Sequence, residues 1–494
     1  MQKDNLRCSL ISLKDRANDI RAQRESVLRQ AEDLAAELVR IEHLCHELAN
    51  EIFPISELPH EILGAIFTSS VSPRHAVGLE TEVILSHVSH YWREVALSTP
   101  HIWQNVTLSP QNPSHREMLE SYLERSGALP FNLKLSTHGN MTSDAYTSIT
   151  PLAEVIARSA LRLGQFHVEW SFPQQYLHEL LALLHPLSAP LLQDICIIGH
   201  SPAVVEEGSR ANRLFSGGVP SLRSLTLKRS SFISCTPTVT SVTKLQFYEH
   251  AIFSDSLIAS FCRTLAALPL LEHLEISAGF VVPDNTIFEL PSLTHLGLRP
   301  TIDGELPSFI RSIIASKLKK LVLESIMSYD LDFLATCAQG VYQGVSSLTL
   351  AQGFGHSFTL STWSIIVNAF PNVDEFIFSF CDDNHDFVTA LKEETSEDGP
   401  STFAWPKLRS LTISDHLFHT RTLNENFPNT PTFGSLIAAR NQAGLPIEKL
   451  CITQSLRIKL DSEATEHHLG DVHISLRDLY FPGSQHIVDW HPVE

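Results

Sequence analysis

Apolar residues recur every seven positions through the first fifty residues: Leu6, Leu13, Ile20, Val27, Leu34, Ile41 and Leu48. A second row, Leu10, Ala17, Arg24, Ala31, Leu38 and Cys45, runs four positions behind. Together they are the a and d rows of a heptad pattern. No Gly or Pro interrupts it, and Pro54 stands just beyond its end. The pattern predicts a coiled-coil helix over residues 4–50, which either self-associates or lies on its own chain. The flanking charges favour one orientation. Lys14, Arg16 and Arg21 border the seam in the first half, Glu37 and Glu42 in the second. A parallel pair sets like charges together, whereas an antiparallel pair sets the basic half against the acidic half. The expectation is an antiparallel homodimer through residues 6–48.

A different pattern follows. Pro59 suits the first turn of a helix, where its missing N–H costs nothing. Ile62, Leu63, Ile66 and Phe67 then recur at helical spacing. A polar stretch with Pro73 and Gly78 reads as a loop. A second amphipathic helix carries Ile84, Leu85, Val88, Tyr91, Trp92 and Val95, and Pro100 stops it just before Trp103. So short a unit is too small to bury all these groups alone, so some are expected to face a partner helix.

The string Leu58-Pro59-x-Glu61-Ile62-Leu63-x-x-Ile66-Phe67, followed by Leu85-x-x-Val88-Ser89-x-x-Trp92-Arg93 and a trailing Trp103, resembles an F-box. The form is that of fungal F-box proteins with an N-terminal heptad helix. Two departures stand: the loop between the halves is long, and Ser89 replaces a frequent Cys. The resemblance implies an all-α F-box over residues 52–108 that docks on the Skp-family adaptor of a cullin ubiquitin ligase. Leu58, Pro59, Ile62, Leu63, Ile66, Phe67, Leu85, Val88 and Trp92 are its adaptor-binding candidates.

From about residue 160 the triplet apolar-x-x-apolar-x-apolar returns in twelve copies, from Leu163-Phe166-Val168 through Leu222-Leu225-Leu227 and Leu293-Leu296-Leu298 to Leu476-Leu479-Phe481. Most spacings lie near a leucine-rich-repeat period, with insertions. Helical stretches are predicted between copies at Ser254–Leu268, Pro307–Ser316, Asp330–Ala338, Ser361–Phe370 and Thr432–Gln442. Strand and helix restacked many times predict an irregular α/β leucine-rich-repeat-like solenoid over 130–484. The Asn usual after the last apolar position is absent. The fold class expected is therefore multidomain: coiled-coil helix, all-α F-box, then solenoid. Alternation assigns the open strand face, with Lys244, Tyr248, His273, Glu275, His295, Arg299, Lys320 and Glu324 as target-binding candidates. Their mixed charge suits a protein partner.

Composition narrows the function classes. The net charge is −19, with 43% apolar residues. An acidic chain lacks the basic face that nucleic acid or an anionic membrane requires. The eight Cys are scattered with no CxxC, which indicates reduced thiols and no zinc knuckle. The N-terminus has no apolar leader core, and the apolar stretch 180–199 is broken by His185, Pro186, Pro190, Gln193 and Asp194. An intracellular protein, cytoplasmic or nuclear, is expected. No phosphate-binding glycine loop or nucleophile elbow stands at a strand–helix junction. His87/His90, His416/His419 and His467/His468 lack the spacing of a helical zinc site. The expectation is a non-enzyme with no catalytic residue, metal or cofactor: the substrate-recognition subunit of a Skp–cullin–F-box ligase that binds an unknown target protein. The alternative is a ligase-independent scaffold dimerised by its coiled coil.

Overall fold

The computed structural model describes residues 2–52, 54–71, 81–110, 112, 114–137, 149–171, 180–199, 214–229, 240–248, 255–277, 279–283, 286–302, 304–326, 328–331, 342–352, 358–380, 385–392, 403–415, 432–452 and 473–476. The chain opens on one long helix, α1 (Gln2–Ile52). Three short helices follow: α2 (His60–Ser70), α3 (Thr81–Val88) and α4 (His90–Leu97). The remainder builds a 14-stranded sheet whose strands lie side by side in chain order.

Its strands are β1 (Asn105–Leu108), β2 (Phe131–Ser136), β3 (Leu163–Trp170), β4 (Asp194–Gly199), β5 (Ser224–Lys228), β6 (Lys244–Tyr248), β7 (His273–Ser277), β9 (His295–Leu298), β11 (Lys320–Ile326), β12 (Ser347–Gln352), β13 (Glu375–Phe380), β14 (Ser410–Asp415), β15 (Lys449–Ile452) and β16 (His473–Leu476). Two short strands, β8 (Phe288–Glu289) and β10 (Ile313–Ile314), pair separately. Connections carry helices, among them α5 (His115–Arg125), α6 (Ile149–Ser159), α7 (Asp255–Ala266) and α8 (Glu305–Ser312). The chain divides into two units, 1–105 with 121–129, and 106–120 with 130–494.

The apolar triplets explain the sheet. Leu225, Leu245, Leu274, Leu296, Leu321, Leu348, Phe376, Leu411 and Leu450 pair in one column across nine strands. All are buried. At about 1.5–3 kcal/mol for each such side chain, this column is a major part of the unit's stability. The backbone sets the register. The carbonyl of Arg223 accepts both Thr243 N–H and Lys244 N–H at 2.9 Å, and that of Thr243 accepts Glu272 N–H and His273 N–H at 2.8 and 2.9 Å. The carbonyls of Glu272, Thr294, Lys319, Ser346, Asp374 and Arg409 repeat the step. This shared acceptor satisfies the backbone at the start of these strands, where the sequence has no Asn ladder to do so.

The expected fold class needs correction. The structure is an α/β fold built on one parallel sheet, and residues 52–108 do not form an all-α F-box. They run into β1, whose Val106 and Leu108 alternate inward as strand residues do. Their helices also leave polar and aromatic surface that α5 completes. Tyr122 Oη–H donates to the buried Glu82 Oε1 at 2.7 Å, and its ring meets Trp103 edge-on at 5.1 Å. The Arg125 guanidinium lies 4.4 Å over the Trp103 ring. The sheet therefore begins ahead of the solenoid range expected for it.

The predicted helices at 254–268, 307–316, 361–370 and 432–442 appear at Asp255–Ala266, Glu305–Ser312, Leu360–Ala369 and Thr432–Gln442. Only Ser328–Leu331 of the region around 330–338 is described. The twelfth triplet is displaced. Ile474 pairs with Leu450 and Leu476 with Ile452, in place of Leu479 and Phe481, which lie outside the described residues. His473-Ile474-Ser475-Leu476 alternates as well as the later string does, so the pattern alone could not choose between them. No helix among the described residues is long and apolar enough to cross a membrane.

Arg440 shows how a buried charge is accommodated. It is fully buried in the helix Thr432–Gln442, and its guanidinium donates to the carbonyls of Ala404 and Trp405 at 3.0 Å each. Burial lowers its pKa to about 10. Arg440→Ala strips donors from these carbonyls and is expected to cost about 2–3 kcal/mol in urea denaturation. Replacement of the exposed Arg409 should change stability by under ~0.5 kcal/mol.

Candidate functional site

Two places carry candidate functional residues, one in each unit. The first is the helical face of α2 and α3. Ser89 caps α4 by accepting Trp92 N–H at 3.2 Å, and Tyr91 Oη–H donates to the Leu58 carbonyl at 2.7 Å, tying the start of α2 to α4. Leu63 and Phe67 turn inward and are fully buried, with Phe67 against Trp92 at 5.0 Å between ring centroids. Ile62 and Ile66 turn outward, 50% and 43% exposed, and Ile84 and Val88 of α3 are 47% and 45% exposed. Pro59 is exposed; Leu58, Leu85 and Trp92 are partly buried. The nine adaptor-binding candidates thus divide into a core pair, an intermediate group and an outward apolar set. Ile84 belongs with the outward set and was not among the nine.

The second place lies on the sheet. The eight target-binding candidates all fall on β6, β7, β9 and β11 or immediately after them. Parallel register sets Lys244, His273, His295 and Lys320 in one row across these strands. The next row toward the C-terminal end of the face places Gln246, Glu275 and Gly297 side by side. Glu275 is the node. Its Oε2 accepts Gln246 Nε2–H at 2.7 Å and also accepts Tyr248 Oη–H. Its Oε1 accepts His273 Nε2–H at 2.6 Å and faces His295 Nε2 at 3.8 Å. The two imidazoles stack, 3.9 Å between centroids. Thr226 Oγ1–H extends the network to Gln246 Oε1 at 3.0 Å.

Gly297 makes room for this arrangement. A Cβ there would meet Glu275 Cγ at 2.9 Å, and three hydrogen bonds prevent Glu275 from yielding. The signal in the sequence was a glycine inside a strand pattern, which marks a close approach. Gly297 was not recognised as part of the site, because only register shows what it opposes.

The electrostatics follow from burial and partners. Burial raises the Glu275 pKa, but the hydrogen bonds from His273, Tyr248 and Gln246 outweigh it and hold it at about 2. Burial, then the His273 and Lys320 charges, depress His295 to about 4. Burial and the Glu275 carboxylate push the Tyr248 phenol far up. Burial also raises Glu324, with Arg299 opposing. The face therefore presents an ionised carboxylate and, in His295, a neutral imidazole at neutral pH. Elsewhere on the sheet, burial and Asp194 push the Cys196 thiol up to about 12, so it is not a ready nucleophile. His416, His419, His467 and His468 lie outside the described residues.

The depressed His295 has a consequence for stability. The unfolded chain takes up a proton near pH 6.5, whereas the folded site resists it until about pH 4. The unfolded state thus binds more protons across this window, so its stabilisation is present above pH 6.5 and lost as pH falls toward 4. Urea midpoints should fall from neutral pH to about pH 5, and His295→Asn should reduce that fall measurably. No protein-family model and no curated protein matches the chain.

Proposed function

We propose that the chain is the substrate-recognition subunit of a Skp–cullin–F-box ubiquitin ligase. The outward apolar set on α2 and α3 docks the Skp-family adaptor, and the mixed-charge sheet face binds a target protein. The observation that carries this reading is the division of α2: Leu63 and Phe67 supply its own core, while Ile62 and Ile66, with Ile84 and Val88 of α3, remain exposed. Burial of the half of each such side chain that is still exposed yields about 1 kcal/mol in a partner groove, so the four together offset part of the cost of association. The ubiquitin chemistry belongs to the other subunits, and this chain contributes proximity.

The test is co-expression with a Skp-family adaptor followed by affinity capture. The wild-type chain should retain the adaptor. Ile62→Asp with Ile66→Asp should weaken capture on the order of 100-fold, because each Asp would bury an unpaired charge in the interface. Both positions are exposed, so the variant should keep the thermal stability of the wild type. Retention of the adaptor by the variant, or its absence from the folded wild type, rejects the reading.

A second reading is favoured by α1: a scaffold assembled through this helix and independent of a ligase. Leu6, Leu13, Ile20, Val27, Leu34, Ile41 and Leu48 are all exposed along it. So long an apolar row calls for a partner helix, and the basic first half and acidic second half fit an antiparallel second copy. With Cys8 and Cys45 replaced by Ser, Leu6→Cys should fail to cross-link to its own copy under oxidation, while Leu6→Cys mixed with Leu48→Cys should cross-link. Efficient linkage of Leu6→Cys alone contradicts the antiparallel pair.

A further inference from the structure

We propose that His273, Glu275 and His295 form a three-ligand site for a divalent transition-metal cation of the zinc type. It is independent of adaptor docking. The three donor atoms lie within 4.8 Å of one another. His273 and Glu275 are two apart on β7, so both stand on the same face, and register adds His295 from β9. Both histidines present Nε2 to the same carboxylate oxygen, Glu275 Oε1. A tetrahedral ion with bonds of about 2.0–2.1 Å needs donors roughly 3.2–3.5 Å apart. The two observed separations, 2.6 and 3.8 Å, bracket that span, and to bind the ion one imidazole turns about its Cβ–Cγ bond out of the stack so that both ring planes contain the metal. The ion would take the place of the hydrogen now shared between His273 Nε2 and Glu275 Oε1.

The surroundings are those of a supported ligand set. Tyr248 and Gln246 both bond Glu275 Oε2 and so leave Oε1 turned to the histidines. Such outer bonds orient ligating carboxylates in metal sites generally. The bare Gly297 beside Glu275 leaves the carboxylate its place. Two nitrogens and one oxygen with a position to spare suit Zn²⁺ or Co²⁺. They do not suit Ca²⁺ or Mg²⁺, which need about six oxygen ligands. Lys244 and Lys320 flank the histidine row and oppose added positive charge, so coordination has to hold the ion against them.

The test uses the full chain, stripped with chelator and titrated with Zn²⁺ alone by calorimetry at neutral pH. One equivalent should bind with micromolar or tighter affinity. His273→Asn and His295→Asn should each weaken binding by at least ~100-fold, and Tyr248→Phe, which removes an orienting bond only, by about 10–100-fold. A wild-type chain that binds no Zn²⁺, or a doubly substituted chain that binds it unchanged, overturns the site. Where a histidine variant fails to fold, Glu275→Gln takes its place and should weaken binding by at least ~10-fold, unchanged binding overturning the site, and the Co²⁺ spectrum of the wild type reports the ligand type. Nitrogen and oxygen ligation gives visible d–d bands without thiolate charge transfer, and a thiolate band places the ion on a cysteine and overturns the proposal. Equal competition by Mg²⁺ also overturns it.

Discussion

One carbonyl shared by two consecutive amides of the next strand leaves a strand no freedom to slide. At the start of β6, β7, β9, β11 and each strand from β12 to β15, this step recurs with N···O distances of 2.8–3.1 Å. A slip of one residue would turn every buried Leu of the column outward and every polar neighbour inward. Backbone and side chains thus enforce one register, and each supplies what the other lacks. The backbone step carries no sequence information, while the apolar triplets alone do not say which residue faces which across the gap.

That register produces the polar node. Glu275 gains its donors because Gln246 stands beside it on β6, Tyr248 two positions further along that strand, and His273 two positions before it on β7. None of these contacts spans more than one strand step. The carboxylate remains ionised in spite of its burial because three hydrogen bonds compensate, and the same burial keeps His295 neutral. A partly buried, prearranged carboxylate beside imidazoles is a costly arrangement for a surface that needed only to be soluble. This is why the face stands out on the sheet.

Several parts of this architecture could be read from residues alone. The heptad of α1, most of the apolar triplets and the amphipathic helices Asp255–Ala266 and Glu305–Ser312 were legible because each is a local periodicity. The eight polar candidates were legible as a set, since alternation decides which residues share a face. Their convergence was not, because it depends on pairings 20–30 residues apart in the chain. The F-box strings did not divide Leu63 and Phe67 from Ile62 and Ile66, which differ only in the direction they take from the helix. An all-α box was expected since nothing in residues 52–108 announces that Glu82 and Trp103 depend on Tyr122, beyond the segment. The four-residue strand β1 was too short to register as a period.

The ionisation of Glu275 tests most directly whether register assembles this node. Carbon-13 labelling of glutamate, with the resonance assigned by Glu275→Gln, reports its carboxyl during acid titration. Glu275 should remain ionised at about pH 3.5, where an ordinary glutamate is mostly protonated. Protonation with a midpoint near 4.5 would show that the three donors do not converge on it, and would contradict the arrangement on which the sheet face depends.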